Sequence, residues 1–204
     1  MEIQDRIVEG ANDMFMRYGV KAVTMDDIAR QLGISKKTIY QYFENKDKLV
    51  QEVTLFTLKE QEKAIVEIEK TSLDPIDEIL KLAEHTSVML QNMNPSLLYE
   101  VEKYHPAAYQ MYANHRKNWI YTTIVANLKK GIELGLFRKE LDVDILATFR
   151  IEIMRLVFNP FVFPAGKYKF GKVQMQLLDH YLHGICTIKG HKLINKYKHI
   201  IEEE

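Results

Sequence analysis

Along most of the chain apolar residues return every three or four positions, and no segment alternates apolar with polar residues over a strand's length. That period lines up one face of an α-helix. Nine Gly and five Pro among 204 residues leave little punctuation to interrupt it. The expected fold is therefore all-α. Ile3, Ile7, Ala11, Met14, Phe15 and Tyr18 mark the inner face of a first helix, and Gly19 suits its end.

The next segment is short and closely punctuated. Thr24 can cap a second helix, with Asp27 three positions on completing an acidic variant of the capping box. Asp26 and Asp27 also complement the helix dipole. Ile28, Ala29 and Leu32 face inward, and Gly33 ends the helix. Ser35 caps a third helix over residues 36–43, with Ile39 and Phe43 turned to the core. Asn45 caps a fourth that starts at Lys46 and runs to about Lys70. Two short helices joined through a Gly turn form a helix-turn-helix, whose second helix enters the major groove N-terminal end first. Lys36, Lys37 and Thr38 open that helix with donors for guanine or phosphate. Tyr40 and Tyr42 carry hydroxyls suited to backbone phosphate, and Lys46 adds charge at the next helix start.

These residues also carry a resemblance. The run Thr24-Met25-Asp26-Asp27-Ile28-Ala29, then Leu32-Gly33-Ile34-Ser35-Lys36-Lys37-Thr38-Ile39-Tyr40-Gln41-Tyr42-Phe43, then Asn45-Lys46-Asp47-Lys48-Leu49 resembles the DNA-binding domain of the tetracycline-repressor family. The match covers roughly residues 3–52. It implies an N-terminal three-helix DNA-binding domain (residues 1–47) and a C-terminal helical bundle for effector binding and dimerisation (residues 48–204). It also implies a homodimer on double-stranded operator DNA, acting as a repressor that a small apolar or aromatic ligand releases by shifting the fourth helix. Thr24, Lys36, Thr38, Tyr40, Tyr42 and Lys46 fall where the family contacts DNA, and Ser35 and Lys37 join them as candidates. Position 37 is often Gly or another small residue in the family. Lys37 departs from that, so the operator sequence does not transfer by analogy.

Beyond residue 70 the reading is of longer helices. Asp74-Pro75 opens one toward Met93, since Pro is tolerated in a first turn. Asn94-Pro95-Ser96 breaks the chain, and His105-Pro106 opens a long helix to Leu134 that Gly135 ends. Asp142 begins another, which stops before Pro160. A loop over 161–171 follows. A last long helix is expected from about Lys172 to Lys189, with Gly190 as its stop and a tail that is either a short amphipathic helix or frayed. Met89, Met93, Tyr99, Tyr112, Trp119, Phe149, Met154 and Phe158 are candidates to line a ligand pocket, although a helical core has the same composition. Ile145, Phe149, Ile153 and Leu156 form one stripe, and Leu177, Tyr181, Ile185 and Ile188 another. Together they are the expected dimer interface. Arg150, Glu152 and Arg155 interrupt an apolar helix and need partners, either across an interface, within the core or on a ligand.

Composition bounds the alternatives. Formal net charge is zero, which excludes a uniformly basic nucleic-acid coat and leaves a local patch. The single Cys186 makes no intrachain disulfide and fits a reducing, cytoplasmic setting, with burial a commoner role than redox sensing. No signal-peptide core follows Met1. The longest apolar stretch, residues 145–163, carries three charges, so no membrane association is expected. His180 and His183 are three apart, but no further ligand pattern accompanies them, and neither metal nor other cofactor is expected. No phosphate-binding Gly loop, nucleophile elbow or paired Glu-x-x-His set supports an enzyme. A DNA-binding adaptor with a protein partner is the remaining alternative.

Overall fold

A computed structural model describes residues 2–91, 93–164 and 166–198. Among them the regular structure is α1 (Ile3–Tyr18), α2 (Met25–Leu32), α3 (Lys36–Tyr42), α4 (Lys46–Thr71), α5 (Pro75–Gln91), α6 (Leu97–Tyr104), α7 (Pro106–His115), α8 (Tyr121–Glu133), α9 (Val143–Leu156), α10 (Phe170–Ile185) and α11 (Ile188–Tyr197). The chain is all-α, as its periodicity requires. It divides into two compact units, one of Met1–Ala64 with Asn92–His115, the other of Ile65–Gln91 with Arg116–Glu204.

The first unit is built on Ile7, Ala11 and Phe15 of α1, Ile28 and Ala29 of α2, Ile39 and Phe43 around α3, and Leu49, Val50 and Val53 of α4. Gly10 lets α2 approach, because a Cβ there would meet the Leu32 side chain at 2.7 Å. The α6–α7 pair closes the same core through Leu97, Val101 and Ala108. A domain boundary at residue 47 therefore falls inside this core. The turns of α4 that follow Asp47 bury three side chains beside α1 to α3, and the compact unit runs on to Ala64.

The second unit packs Ile76 and Ala83 of α5, Leu128 of α8, Ala147 and Ile153 of α9, Leu178, Tyr181, Leu182 and Ile185 of α10, and Ile194 of α11. Asp74 caps α5 through the N–H groups of Ile76 and Asp77, and the Tyr197 hydroxyl donates to its other carboxylate oxygen. The long helix expected from Pro106 is realised as α7 and α8 joined by one π-helical turn, Arg116–Ile120. Arg116 is buried there and its guanidinium donates to the Ile151 carbonyl.

One boundary is corrected. The last long helix stops at Ile185 rather than near Lys189, and Gly190 lies inside α11. Cys186 turns extended and pairs with Phe137 in an isolated bridge, and Thr187 caps α11 by accepting from Gly190 N–H at 3.2 Å. Gly190 acts through space rather than as a stop: a Cβ there would lie 2.4 Å from the Leu136 carbonyl oxygen. Burial pushes the Cys186 thiol up to about 12, so it is a packed group with little thiolate.

Helix-interior glycines give opposite expectations. A Cβ at Gly131 would sit 2.0 Å from the Phe137 ring. Gly131→Ala should therefore cost about 1–3 kcal/mol by overpacking, despite about 1 kcal/mol of better helix propensity. Gly184 has open space around it, so Gly184→Ala should gain up to about 1 kcal/mol. Urea denaturation followed by circular dichroism measures both. Equal shifts would mean that the Phe137 contact carries no weight.

Candidate nucleic-acid interface

The helix-turn-helix is held by local hydrogen bonds. The Thr24 hydroxyl accepts from Asp27 N–H at 3.1 Å and donates to the Asp27 carboxylate at 2.6 Å, while Thr24 N–H donates to that carboxylate at 3.0 Å. These bonds to Thr24 hold the Asp27 carboxyl below its usual range. Gly33 ends α2 in the left-handed conformation at φ 66°, where a side chain would be strained. Ser35 accepts from Thr38 N–H at 3.0 Å and shares a hydrogen bond with the Thr38 hydroxyl at 2.7 Å.

With Ile39 and Phe43 anchored inside, α3 turns Lys36, Lys37, Tyr40 and Gln41 outward, and Tyr42 is also exposed. The Lys36 ammonium donates to Asp26 at 2.9 Å and lies 5.9 Å from the Tyr40 ring centre. Its hydrogen bond to Asp26 raises its pKa. Lys37 has no ion pair or hydrogen bond among the described residues. Lys46 is half-buried, and its ammonium donates to the Val20 carbonyl, tying the start of α4 to the α1–α2 connection. Burial lowers its pKa, against the opposing pull of Glu100 and Asp47.

The eight DNA candidates thus share one unit but differ in freedom. Thr24, Ser35 and Thr38 spend their hydroxyls on caps, Lys46 faces inward, and Lys36 is neutralised by Asp26. Lys37, Tyr40 and Tyr42 stand open. Gln41 was missed, although its place one turn after Lys37 puts it on the same outward face.

A second layer was also missed. The Glu100 carboxylate of α6 accepts from Lys21 N–H at 2.8 Å. It lies against Gly19, whose φ of 82° and lack of a Cβ make room for it. Asn94 N–H donates to the Met16 carbonyl at 2.6 Å. The buried His105 ring pairs with Asp47 at 2.6 Å, and His115 with Glu62 at 2.9 Å. These partners are 53 or more residues apart, and no local pattern announces them.

The other candidate sets divide. Met93, Tyr99 and Tyr112 belong to the first unit, whereas Met89, Trp119, Phe149, Met154 and Phe158 belong to the second. Within the second, Phe149 is half exposed and Phe158 packs edge-on against Phe170 at 5.6 Å. Of the dimer candidates, Ile145, Phe149, Leu156 and Ile188 are exposed. Ile153, Tyr181 and Ile185 are buried in the chain's own core, and Leu177 packs against it. Those four pack on the inner faces of their helices within the chain's own core, with Leu177 only partly buried. Glu152 and Arg155 pair along the outside of α9 at 3.6 Å. Arg150 has no carboxylate among the described residues and lies over the Tyr181 ring at 5.3 Å.

Among the described residues no helix is long and apolar enough to cross a membrane. Comparison with known proteins agrees with the geometry. The profile of the bacterial regulatory proteins, tetR family, matches residues 7–53. The HTH-type transcriptional repressor KstR2 of Mycolicibacterium smegmatis is 26% identical over 198 residues, covering 93% of each chain. A putative transcriptional regulator from Saccharomonospora viridis, solved in complex with choline, is 25% identical with a TM-score of 0.70, over 90% of this chain and 97% of that one. A TetR-family regulator from Agrobacterium tumefaciens shares the fold at 19% identity and TM-score 0.72, over 90% of this chain and 97% of its own. With the helix-turn-helix in place, residues 7–53 match the tetR-family DNA-binding domain and the rest of the chain is similar to regulators of that kind, so the chain is a DNA-binding transcriptional regulator rather than an enzyme.

Proposed function

We propose that the chain is a homodimeric repressor that a small apolar ligand releases from its operator. The observation that carries the DNA half is the outward face of α3, where a free Lys37, Tyr40 and Gln41 stand beside a Lys36 whose charge is held by an exposed, weakly bound carboxylate. Residues 1–47, within the first unit, read DNA, and of residues 48–204 it is the second unit that binds the effector and dimerises. Gln41 contacts base edges, Lys37 takes a phosphate, Lys36 exchanges Asp26 for phosphate or guanine, and Tyr40 and Tyr42 reach phosphate. Thr24, Ser35, Thr38 and Lys46 position this surface. The protein works where the DNA is, in the cytoplasm.

Ile145, Phe149 and Leu156 lie on one exposed stripe of α9, and Met175 of α10 is exposed too. A second copy covering that stripe explains why large apolar side chains face outward. Two-fold symmetry then sets the reading helices about 34–36 Å apart, one DNA turn. The Saccharomonospora viridis regulator's complex with choline supports small-molecule control in this fold. A released state requires only that the ligand prefer one dimer geometry over the other.

Lys37→Ala should weaken binding to all sequences and reduce the logarithmic salt slope by about 0.9 for its one phosphate. Gln41→Ala should change base preference and leave that slope alone. Asp26→Asn should tighten non-specific binding by freeing Lys36. Fluorescence titrations with operator and scrambled duplexes at two salt concentrations measure all three, and unchanged affinity throughout would remove α3 as the reading helix. Phe149→Glu should give a folded monomer with little operator affinity, as read by light scattering. A wild type that is monomeric at micromolar concentration would sink the dimer.

A further inference from the structure

The second unit holds two buried polar groups, Tyr181 and Gln174, and a partly buried Arg150 that its own described residues leave without a hydrogen-bond or ion-pair partner. Tyr181 is 4% exposed and its hydroxyl has no hydrogen-bond partner, and Gln174 is 9% exposed with its amide oxygen likewise unpartnered. Arg150 sits three residues after the buried Ala147 and three before the buried Ile153, on the core-facing side of α9. Its guanidinium contacts the Tyr181 ring face, a partial compensation for the lost water, and no carboxylate reaches it. Native interiors answer nearly all such groups, so three together on facing helices point to a missing partner.

The chemistry of the groups selects that partner. Burial lowers the Arg150 pKa to about 10, which leaves it cationic at neutral pH. Burial raises Tyr181 to about 12, so its hydroxyl keeps its proton and can donate. A cation and a neutral donor at one place suit a carboxylate, which accepts from both. The two helices then define a body for the ligand. Phe158, eight residues on from Arg150 and just past the end of α9, contacts Phe170, eleven back from Tyr181 along α10. That antiparallel seam is about 12–16 Å long at the helical rise, with half-buried Met154 and buried Gln174 along it.

We propose that the effector is an amphipathic carboxylic acid, its carboxylate held by Arg150 and Tyr181 and its apolar body lying toward Phe158 and Phe170. Gln174 gives the seam a place for one hydroxyl on that body. This rests on the reading of the second unit as ligand-binding and names the class of ligand.

The test is calorimetric titration of the intact protein with dodecanoate and with naphthoate, each beside its matched primary alcohol. The acids should bind at least tenfold tighter than the alcohols, about 1.4 kcal/mol. Arg150→Gln should erase that preference, Arg150→Lys should restore part of it, and Tyr181→Phe, which keeps the packed ring, should reduce it. Melting temperature and dimer mass should stay at wild-type values in Tyr181→Phe. Equal binding of acids and alcohols, no binding of either acid, or a preference that survives Arg150→Gln overturns the proposal. Dissociation of the dimer by Arg150→Gln also overturns it, since the missing partner would then be a second copy. A parallel operator titration separates the two readings. Acid bound through Arg150 without weaker DNA binding leaves the site standing and removes ligand release. Alcohols that release the operator as well as acids do the reverse.

Discussion

Everything in the first unit depends on holding a seven-residue helix in place. A helix as short as α3 does not survive in water alone, because nucleation costs more than two turns return. Its outward face must also stay free for DNA, so it contributes little to its own retention. Ile39 and Phe43 are its anchors, both almost completely buried. Caps at Thr24 and Ser35 fix the angle at which α2 and α3 meet, and Gly33 permits the reversal between them. Lys46 from α4 and Glu100 from α6 both fasten the α1–α2 connection, at the Val20 carbonyl and the Lys21 N–H. The layer behind the reading surface is thus tied down from two helices at once.

How much of this was legible follows from the range of each signal. Caps, turn glycines and helical stripes act within about four residues, and Thr24, Gly33, Ser35, Asn45 and Asp74 stand where their local chemistry puts them. The end of α10 was misplaced for a related reason. Gly190 is locally a helix stop, but its neighbour in space is the Leu136 carbonyl, more than fifty residues away in the chain. The α6–α7 layer was invisible because Glu100, His105 and His115 act on partners brought together only by the fold. Apolar stripes on α9 and α10 are correctly spaced, and packing turns Ile153, Tyr181 and Ile185 into the chain's own core. Period identifies that a helix has an inside, whereas packing decides which of two apolar sides it is. Of the three charges in the apolar part of α9, two resolve into a surface pair, and Arg150 alone keeps the tension that the sequence registered.

The bond between Lys36 and Asp26 has a kinetic meaning for a protein that must find one site among very many. An uncovered row of lysines grips any stretch of duplex, because the phosphate attraction takes no account of sequence. On the proposed reading, one cation of α3 carries its own counterion, and any phosphate it grips must first displace Asp26. That weakens the grip on arbitrary DNA by part of one ionic contact and favours movement along the duplex over rest at the wrong place.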